Sequence, residues 1–240
     1  MSKMSKPFVI VILTGAGVSA ESGIPTFRDA NGLWEGHAIE DVATPEAFTK
    51  NPALVHNFYN LRRAAVKGAE PNAAHKALAK LQWEFKGEVV LITQNVDDLH
   101  ERAGCPEVMH MHGELLKARC TKCRSIFPCE DNLDEAVRCN TCGSAGGLRP
   151  HIVWFNEMPL EMEAIQDALD RADLFVAIGT SGNVYPAASF VDLARSAGAQ
   201  SVEINNAKTQ ISSLFQQHLS GPATVKVPEF VDEILNGKII

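Results

Sequence analysis

Between Phe8 and Trp34 the chain reads FVIVILTGAGVSAESGIPTFRDANGLW, and the first half of that stretch leaves little freedom in what can follow. Its opening six residues are apolar and mostly β-branched, too few for an ordinary helix. They run straight into Thr14-Gly15-Ala16-Gly17, which predicts a buried strand and then a tight turn. Gly15 and Gly17 allow positive φ angles and close approach of the backbone to a ligand. Val18 to Ser22 is then expected to open a helix whose N–H groups and dipole attract a pyrophosphate. With Ala20 and Gly23 the pattern is G-x-G-x-x-A-x-x-G, the front half of a dinucleotide-binding fingerprint. The back half is missing. A dehydrogenase-type helix would lead to a second strand ending in an acid roughly 20 residues on. Here Pro25 cuts the expected helix after about two turns, and a loop with Thr26, Phe27, Arg28 and Asp29 follows. The plainer alternative is a chain reversal with Phe27 in the core.

The rest of the chain alternates between the two periodicities. Helices are predicted from Thr44-Pro45-Glu46, breaking at Asn51-Pro52, then over Ala53–Val66 and Asn72–Phe85. Glu88–Thr93 reads as a second buried strand, Leu148 onward as a return of sheet elements, and Leu160–Arg171 as a helix. A third strand is predicted from Asp173, a helix over Pro186–Ala197 and a fourth strand from Ser201. The stretch Val225–Val231 is read as a short strand leading into a final helix. The fold class is therefore α/β, a Rossmann-like parallel sheet with helices on both faces. Ligands in such sheets sit beyond the carboxyl ends of the strands, so Gln94, Asn95 and Asp97 fall in one layer with Gly15 to Gly17.

Cys120-x-x-Cys123 and Cys139-x-x-Cys142, with 15 residues between the pairs, have the spacing of a four-thiolate zinc site. Four sulfur ligands leave no open position for water, so the ion would be structural, holding a module too poor in large apolar residues to fold alone. The expected organisation is a Rossmann-like NAD-binding domain from 1–34, 70–116 and 148–240, a helical insertion at 35–69 and a zinc-binding module at 117–147. Only Cys105 and Cys129 are left over, which points away from a disulfide framework and toward the cytoplasm. The net charge of -7 argues against nucleic acid as a partner. No apolar run approaches the roughly 20 residues that span a bilayer, and the N-terminal apolar run enters the glycine turn with no cleavage-like site, so no membrane partner is expected.

Gly15-Ala-Gly-Val-Ser, Gly23-Ile-Pro-Thr-Phe-Arg, Thr93-Gln-Asn-Val-Asp, His112-Gly, the paired C-x-x-C and Gly179-Thr-Ser occur in the order and spacing of one family. From about Val9 to Phe230 the chain resembles the sirtuins, NAD-dependent protein lysine deacylases. Within them it is most similar to bacterial class III members, whose Y-x-x-R is reproduced by Tyr59 and Arg62. It departs from the family at Asn156, where many members have Gly, and at Asn206-Ala207, in place of a more usual acidic ending.

The resemblance implies NAD as co-substrate, one structural zinc ion and acyl-lysine proteins or peptides as substrates. In that chemistry the acyl oxygen attacks the ribose carbon that bears nicotinamide. Nicotinamide and O-acyl-ADP-ribose are the products. His112 is the expected general base, suited to the task near pH 7; spacing alone does not separate it from His110, and only the motif does. Asn95 is expected at the ribose and its water, and Asp97 at the nicotinamide carboxamide. Gln94 is expected at the ribose hydroxyls, with Val96 beside them. A turn or helix cap is the ordinary reading for such short polar residues at a strand tip, Asp98 included. Phe27 covers the sugar and Arg28 supports the phosphates in this reading. Ala16, Ser19, Ala20, Pro25 and Trp34 line the cofactor, and Thr180, Ser181, Asn205, Asn206, Ala207 and Ala223 reach its adenosine half. Tyr59 and Arg62 lie three apart and share a helix face, where a phenol and a guanidinium can hold the carboxylate of a succinyl or malonyl chain. The competing picture is a solvated helix face. An NAD-dependent oxidoreductase, a zinc-ribbon interaction module and ADP-ribosyl transfer to protein are the rival activities.

Overall fold

The computed structural model describes residues 6–25 and 36–239. In chain order the elements are β1 (Val9–Thr14), α1 (Ile39–Val42), α2 (Pro45–Lys50), α3 (Pro52–Gly68), α4 (Ala73–Glu84), β2 (Glu88–Thr93) and α5 (Leu99–Arg102). Then come β3 (Met109–His110), β4 (Gly113–Cys120), β5 (Ile126–Pro128), β6 (Leu148–Ile152), α6 (Met162–Arg171) and β7 (Leu174–Ile178). The series closes with α7 (Phe190–Ser196), β8 (Gln200–Asn205), β9 (Gln217–Ser220) and α8 (Ala223–Leu235).

Six strands form one parallel sheet in the order β3-β2-β1-β7-β8-β9. Every residue of β1 is buried, and alternate residues go to opposite sides. Ile10 and Ile12 pack with Leu78 and Leu81 of α4 and Val227 and Phe230 of α8. Val9, Val11 and Leu13 pack with Ile165 and Leu169 of α6 and Phe190 of α7. A strand buried on both faces has no solvent side to mark with polar residues, which is why VIVILT carries no alternation and its one polar residue, Thr14, is hydrogen-bonded at the tip.

The helical starts follow their caps. The Thr44 hydroxyl accepts from the Ala47 amide at 3.0 Å and Asn51 from Leu54 at 3.1 Å, each just before a proline at the first helical position. Asn72 caps α4, accepting from the Ala74 amide at 2.9 Å, while His75 Nδ1 accepts from the Asn72 amide at 3.3 Å.

Three expectations need correcting. The segment after β1 is not an α-helix but two short 3₁₀ turns, Ala16–Val18 and Ala20–Ser22, closed by Gly23 in the left-handed region at φ 86°. Pro25 therefore interrupts nothing. Gly15, at φ -130°, does not use its freedom for positive φ, and neither does Gly17. The last strand is also misplaced: β9 is Gln217–Ser220, and Val225 lies inside α8. Strand β9 pairs only with β8 at the sheet edge, so its QHLS sequence has no apolar signal. The helical spacing of Val227, Phe230, Val231 and Ile234 in α8 was masked by Val225, Val227 and Pro228.

Strands β4, β5 and β6 form a second, antiparallel sheet in the order β5-β4-β6. Leu148–Ile152 thus pairs with the strand that ends at Cys120 and not with the six-stranded sheet.

Candidate functional site

Strand β1 lies between β2 and β7, and the chain fills one side of it before crossing to the other. The carboxyl ends of these strands consequently border the switch-point crevice where open α/β sheets bind ligands. Three backbones meet at its floor. Gly15 N–H donates to the Ile178 carbonyl at 3.0 Å, Gly17 N–H to the Gly179 carbonyl at 2.9 Å, and Gly179 N–H to the Ile204 carbonyl at 3.0 Å. A Cβ on Gly17 would sit 2.7 Å from the Gly179 Cα, and one on Gly179 2.6 Å from the Val18 nitrogen. The glycines are required by this mutual approach of strand tips; Gly179 alone of the three has positive φ, 61°.

A buried polar network joins the β1 turn to the β2 tip. Ser19, 1% exposed, donates to Asp97 Oδ2 at 3.1 Å and accepts from Asn95 Nδ2 at 3.0 Å. Its hydroxyl also meets His75 Nε2 at 3.3 Å; because His75 Nδ1 accepts from Asn72, Nε2 carries the proton and donates. Thr14 donates to the Thr93 hydroxyl at 2.8 Å, which accepts the Asn95 amide at 3.0 Å. Asp97 Oδ1 accepts from the Leu99 amide at 3.2 Å, while Asp98, the residue before α5, makes no side-chain cap. Burial pushes the Asp97 carboxyl up to about 6, against the pull of the Leu99 and Ser19 hydrogen bonds.

The two histidines left level by spacing are separated by their partners. His110 Nε2 lies 2.6 Å from Glu101 Oε1 and Nδ1 3.3 Å from the Asn95 carbonyl. Both partners accept, so both nitrogens donate, and Glu101 holds this imidazole above its ordinary range despite burial. His112 Nδ1 lies 3.1 Å from the Gln94 carbonyl, which can only accept. The Nδ1 proton is thereby fixed and Nε2 is left with its lone pair, while burial lowers the pKa and keeps the ring neutral. Gly113 makes the turn from β3 into β4 possible: at φ 84° its Cα lies so close to β6 that a Cβ would come 2.0 Å from the His151 carbonyl oxygen.

Tyr59 and Arg62 are both buried, so the face they share is not a solvated one. The Tyr59 hydroxyl accepts from Trp154 Nε1 at 2.9 Å; Arg62 donates to the Phe58 carbonyl at 2.7 Å and lies over the Phe58 ring at 3.1 Å. Trp154 is clamped in turn, with the Arg149 guanidinium 3.2 Å from its ring centroid and Glu157 accepting its amide at 2.8 Å. Glu157 also takes a two-pronged contact from Arg149 at 2.7 and 2.9 Å. Asn156 adopts φ 70°, a conformation that asparagine tolerates better than most residues, so the departure from Gly leaves this turn intact.

On the other side of the crevice Thr180 is buried and its carbonyl accepts from Asn205 Nδ2 at 2.7 Å. Ser181, Asn206 and Ala207 are exposed at these strand ends, and Ala223 is buried at the start of α8. Ala16 and Ala20 lie in the 3₁₀ turns, Pro25 just beyond them, and the Val96 carbonyl accepts the Leu115 amide at 2.8 Å. Phe27, Arg28 and Trp34 lie outside the described residues.

The sulfurs of Cys120, Cys123, Cys139 and Cys142 lie within 4.8 Å of one another, with Cys120 to Cys142 at 3.8 Å and Cys123 to Cys139 at 3.6 Å. A tetrahedral ion with Zn–S bonds of about 2.3 Å spaces its sulfurs about 3.8 Å apart, so the cluster fits zinc. Sequence reasoning missed Trp154, although its motif was in view, and His75, whose position in the α4 cap was the available signal. Among the described residues, no helix is long and apolar enough to cross a membrane.

Residues 15–186 match the model of the Sir2 family. The NAD-dependent protein deacylase of Shewanella oneidensis is 56% identical over 233 residues, 96% of either chain. A crystal structure of a Sir2 homologue bound to NAD superposes with a TM-score of 0.87 at 41% identity, covering 96% of this chain and 90% of that one. Sir2 bound to an acetylated peptide superposes with a TM-score of 0.81 at 28% identity, covering 96% and 94%.

Proposed function

The chain belongs to the Sir2 family, the sirtuins, and is an NAD-dependent protein deacylase; we propose that it removes acetyl and also succinyl or malonyl groups from lysine, releasing nicotinamide and O-acyl-ADP-ribose. The observation that carries the acyl-transfer reading is the His112–Gln94 contact, which fixes one imidazole proton and leaves Nε2 as a base.

When bound, NAD supplies a sugar carbon with a cationic leaving group, reactive enough for an amide oxygen to attack. The chain's residues do the rest. We assign the dinucleotide to the crevice between β1 and β7, its phosphates beside Ala16 and Gly17 and its adenosine toward Thr180, Ser181, Asn205, Asn206, Ala207 and Ala223. Gly17 N–H is already committed to Gly179, so the phosphates draw on the remaining turn groups and on side-chain hydroxyls. Asn95 and Asp97, held by Ser19, face the nicotinamide ribose and carboxamide, with Gln94 at the ribose hydroxyls. His112 Nε2 takes a ribose hydroxyl proton so that this oxygen can attack the linked amide carbon. The zinc site closes the cysteine module and supplies no chemistry at the crevice.

The acidic-acyl preference rests on Tyr59 and Arg62, buried on one face beside Trp154. A buried guanidinium gains most from a carboxylate, because the pair forms where water competes least. The test incubates the protein with NAD and matched acetyl-, succinyl- and unmodified lysine peptides and identifies products by mass. Arg62→Met is expected to cut desuccinylation at least about tenfold more than deacetylation, the loss of a charge-assisted pair. Equal losses would refute the preference, and NADH instead of nicotinamide would refute the reaction.

A further inference from the structure

Helix α3 carries a second stripe that the acyl pocket does not use: His56, Asn60, Arg63 and Lys67, spaced four, three and four apart. Asn60 is its centre. Its Nδ2 donates to the Leu133 carbonyl at 2.9 Å and its Oδ1 accepts the Leu133 amide at 2.9 Å, so one side chain satisfies both backbone groups of a residue 73 positions away. Arg63 donates to the same Oδ1 at 2.7 Å and to the Leu115 carbonyl of β4 at 3.2 Å. Lys67 reaches Glu130 at 3.4 Å.

Leu133 belongs to the cysteine module. Its side chain, 3% exposed, packs with Cys120, Cys139, Ala118 and Leu148. From it the chain turns on Asp134, which accepts the Ala136 and Val137 amides at 2.7 and 3.0 Å, and arrives at Cys139. One residue therefore has its side chain against two metal-ligating cysteines and its backbone in the grip of Asn60. On α3, Asn60 directly follows Tyr59 and lies two residues before Arg62.

We propose that Asn60 is a positioning residue that registers α3 against the zinc module, so that the integrity of that module sets the placement of Tyr59 and Arg62 and with it the selectivity for acidic acyl groups. The inference rests on the acyl-pocket reading above for its selectivity half and on the Leu133 contacts alone for its metal half. Rotation or sliding of α3 moves a bidentate carboxylate contact out of alignment, whereas an acetyl group makes no such contact. The coupling thus acts on the KM of the acidic substrate first.

The experiment uses the zinc-loaded protein and its Asn60→Ala and Asn60→Asp variants. Steady-state KM and kcat are measured on matched acetyl- and succinyl-lysine peptides, and zinc release to a coloured chelator is timed without substrate. Asn60→Ala is expected to raise the succinyl-peptide KM roughly fivefold to tenfold, the loss of one or two hydrogen bonds, with the acetyl-peptide KM changed less than about twofold and zinc released several times faster. Asn60→Asp keeps the acceptor and loses the donor, so it falls between, and it carries the test should the alanine variant not fold. Parallel changes in both KM values overturn the selectivity half, and an unchanged release rate overturns the metal half. If Arg62→Met fails to separate the two substrates, the acyl-pocket reading falls by itself while the release rate still judges the clamp.

Discussion

At the scale of single residues, the site works by fixing protons. His112 is denied a choice of tautomer by the Gln94 carbonyl, and its lowered pKa keeps it a base at neutral pH. His112→Ala is expected to lower kcat/KM by about 10²- to 10⁴-fold, the usual worth of a general base, with the fold intact by circular dichroism. In the parent, the acid limb of the kcat/KM profile should have its midpoint below 6.5; a midpoint above it would assign the limb to another group. Asp97 has the opposite bias. Its folded-state pKa, about 6, lies above the ordinary 3.8, so its contribution to stability is fully present below pH 3.8 and is lost as pH rises through about 6. Asp97→Asn should therefore stabilise the fold by about 1–3 kcal/mol at pH 7 and by nothing near pH 3.5 in denaturant titrations, while turnover falls. The sequence made Asn95, Asp97 and His112 visible as polar residues at strand ends. It could not show that Ser19, itself met by His75, ties Asn95 to Asp97, because Ser19 lies 76 and 78 positions from them.

At the scale of elements, local rules were legible wherever the chain's own neighbours decide the outcome. The capped starts at Thr44, Asn51 and Asn72 and the two-sided strands β1, β2 and β7 follow from residues within a few positions. What tertiary contacts decide was not legible. The glycine turn was expected to lead into a helix because G-x-G-x-x-A usually does, yet the glycines answer to Gly179, more than 160 positions away. Two substitutions separate local from tertiary demand. Gly17→Ala puts a methyl group 2.7 Å from the Gly179 Cα, so backbone must move; a loss of several kcal/mol and of NAD binding is expected by thermal shift with and without NAD. Gly68→Ala, at the end of α3 with open space around it, should raise stability by about 0.5–1 kcal/mol.

At the scale of the whole molecule, the parallel sheet and the small antiparallel sheet stand on different physics. The large sheet has two apolar clusters, one on each face, whereas the cysteine module has a small cluster in which two of the five buried residues are metal-ligating cysteines. Removing the metal with an excess of a strong chelator is expected to open 121–147 to proteolysis while the residues of the large sheet stay protected, with mass spectrometry of the fragments as the readout. Cleavage spread evenly through the chain would contradict that division. The large sheet also bears on how the protein is made. Its central strand, β1, is the first to leave the ribosome, yet its flanking partners are β2 at 88–93 and β7 at 174–178. Until β7 has been synthesised, this buried apolar strand keeps one bare edge, the state in which nascent chains stick to one another. Translation speed through the cysteine module and α6 therefore sets how long that edge needs a chaperone's cover.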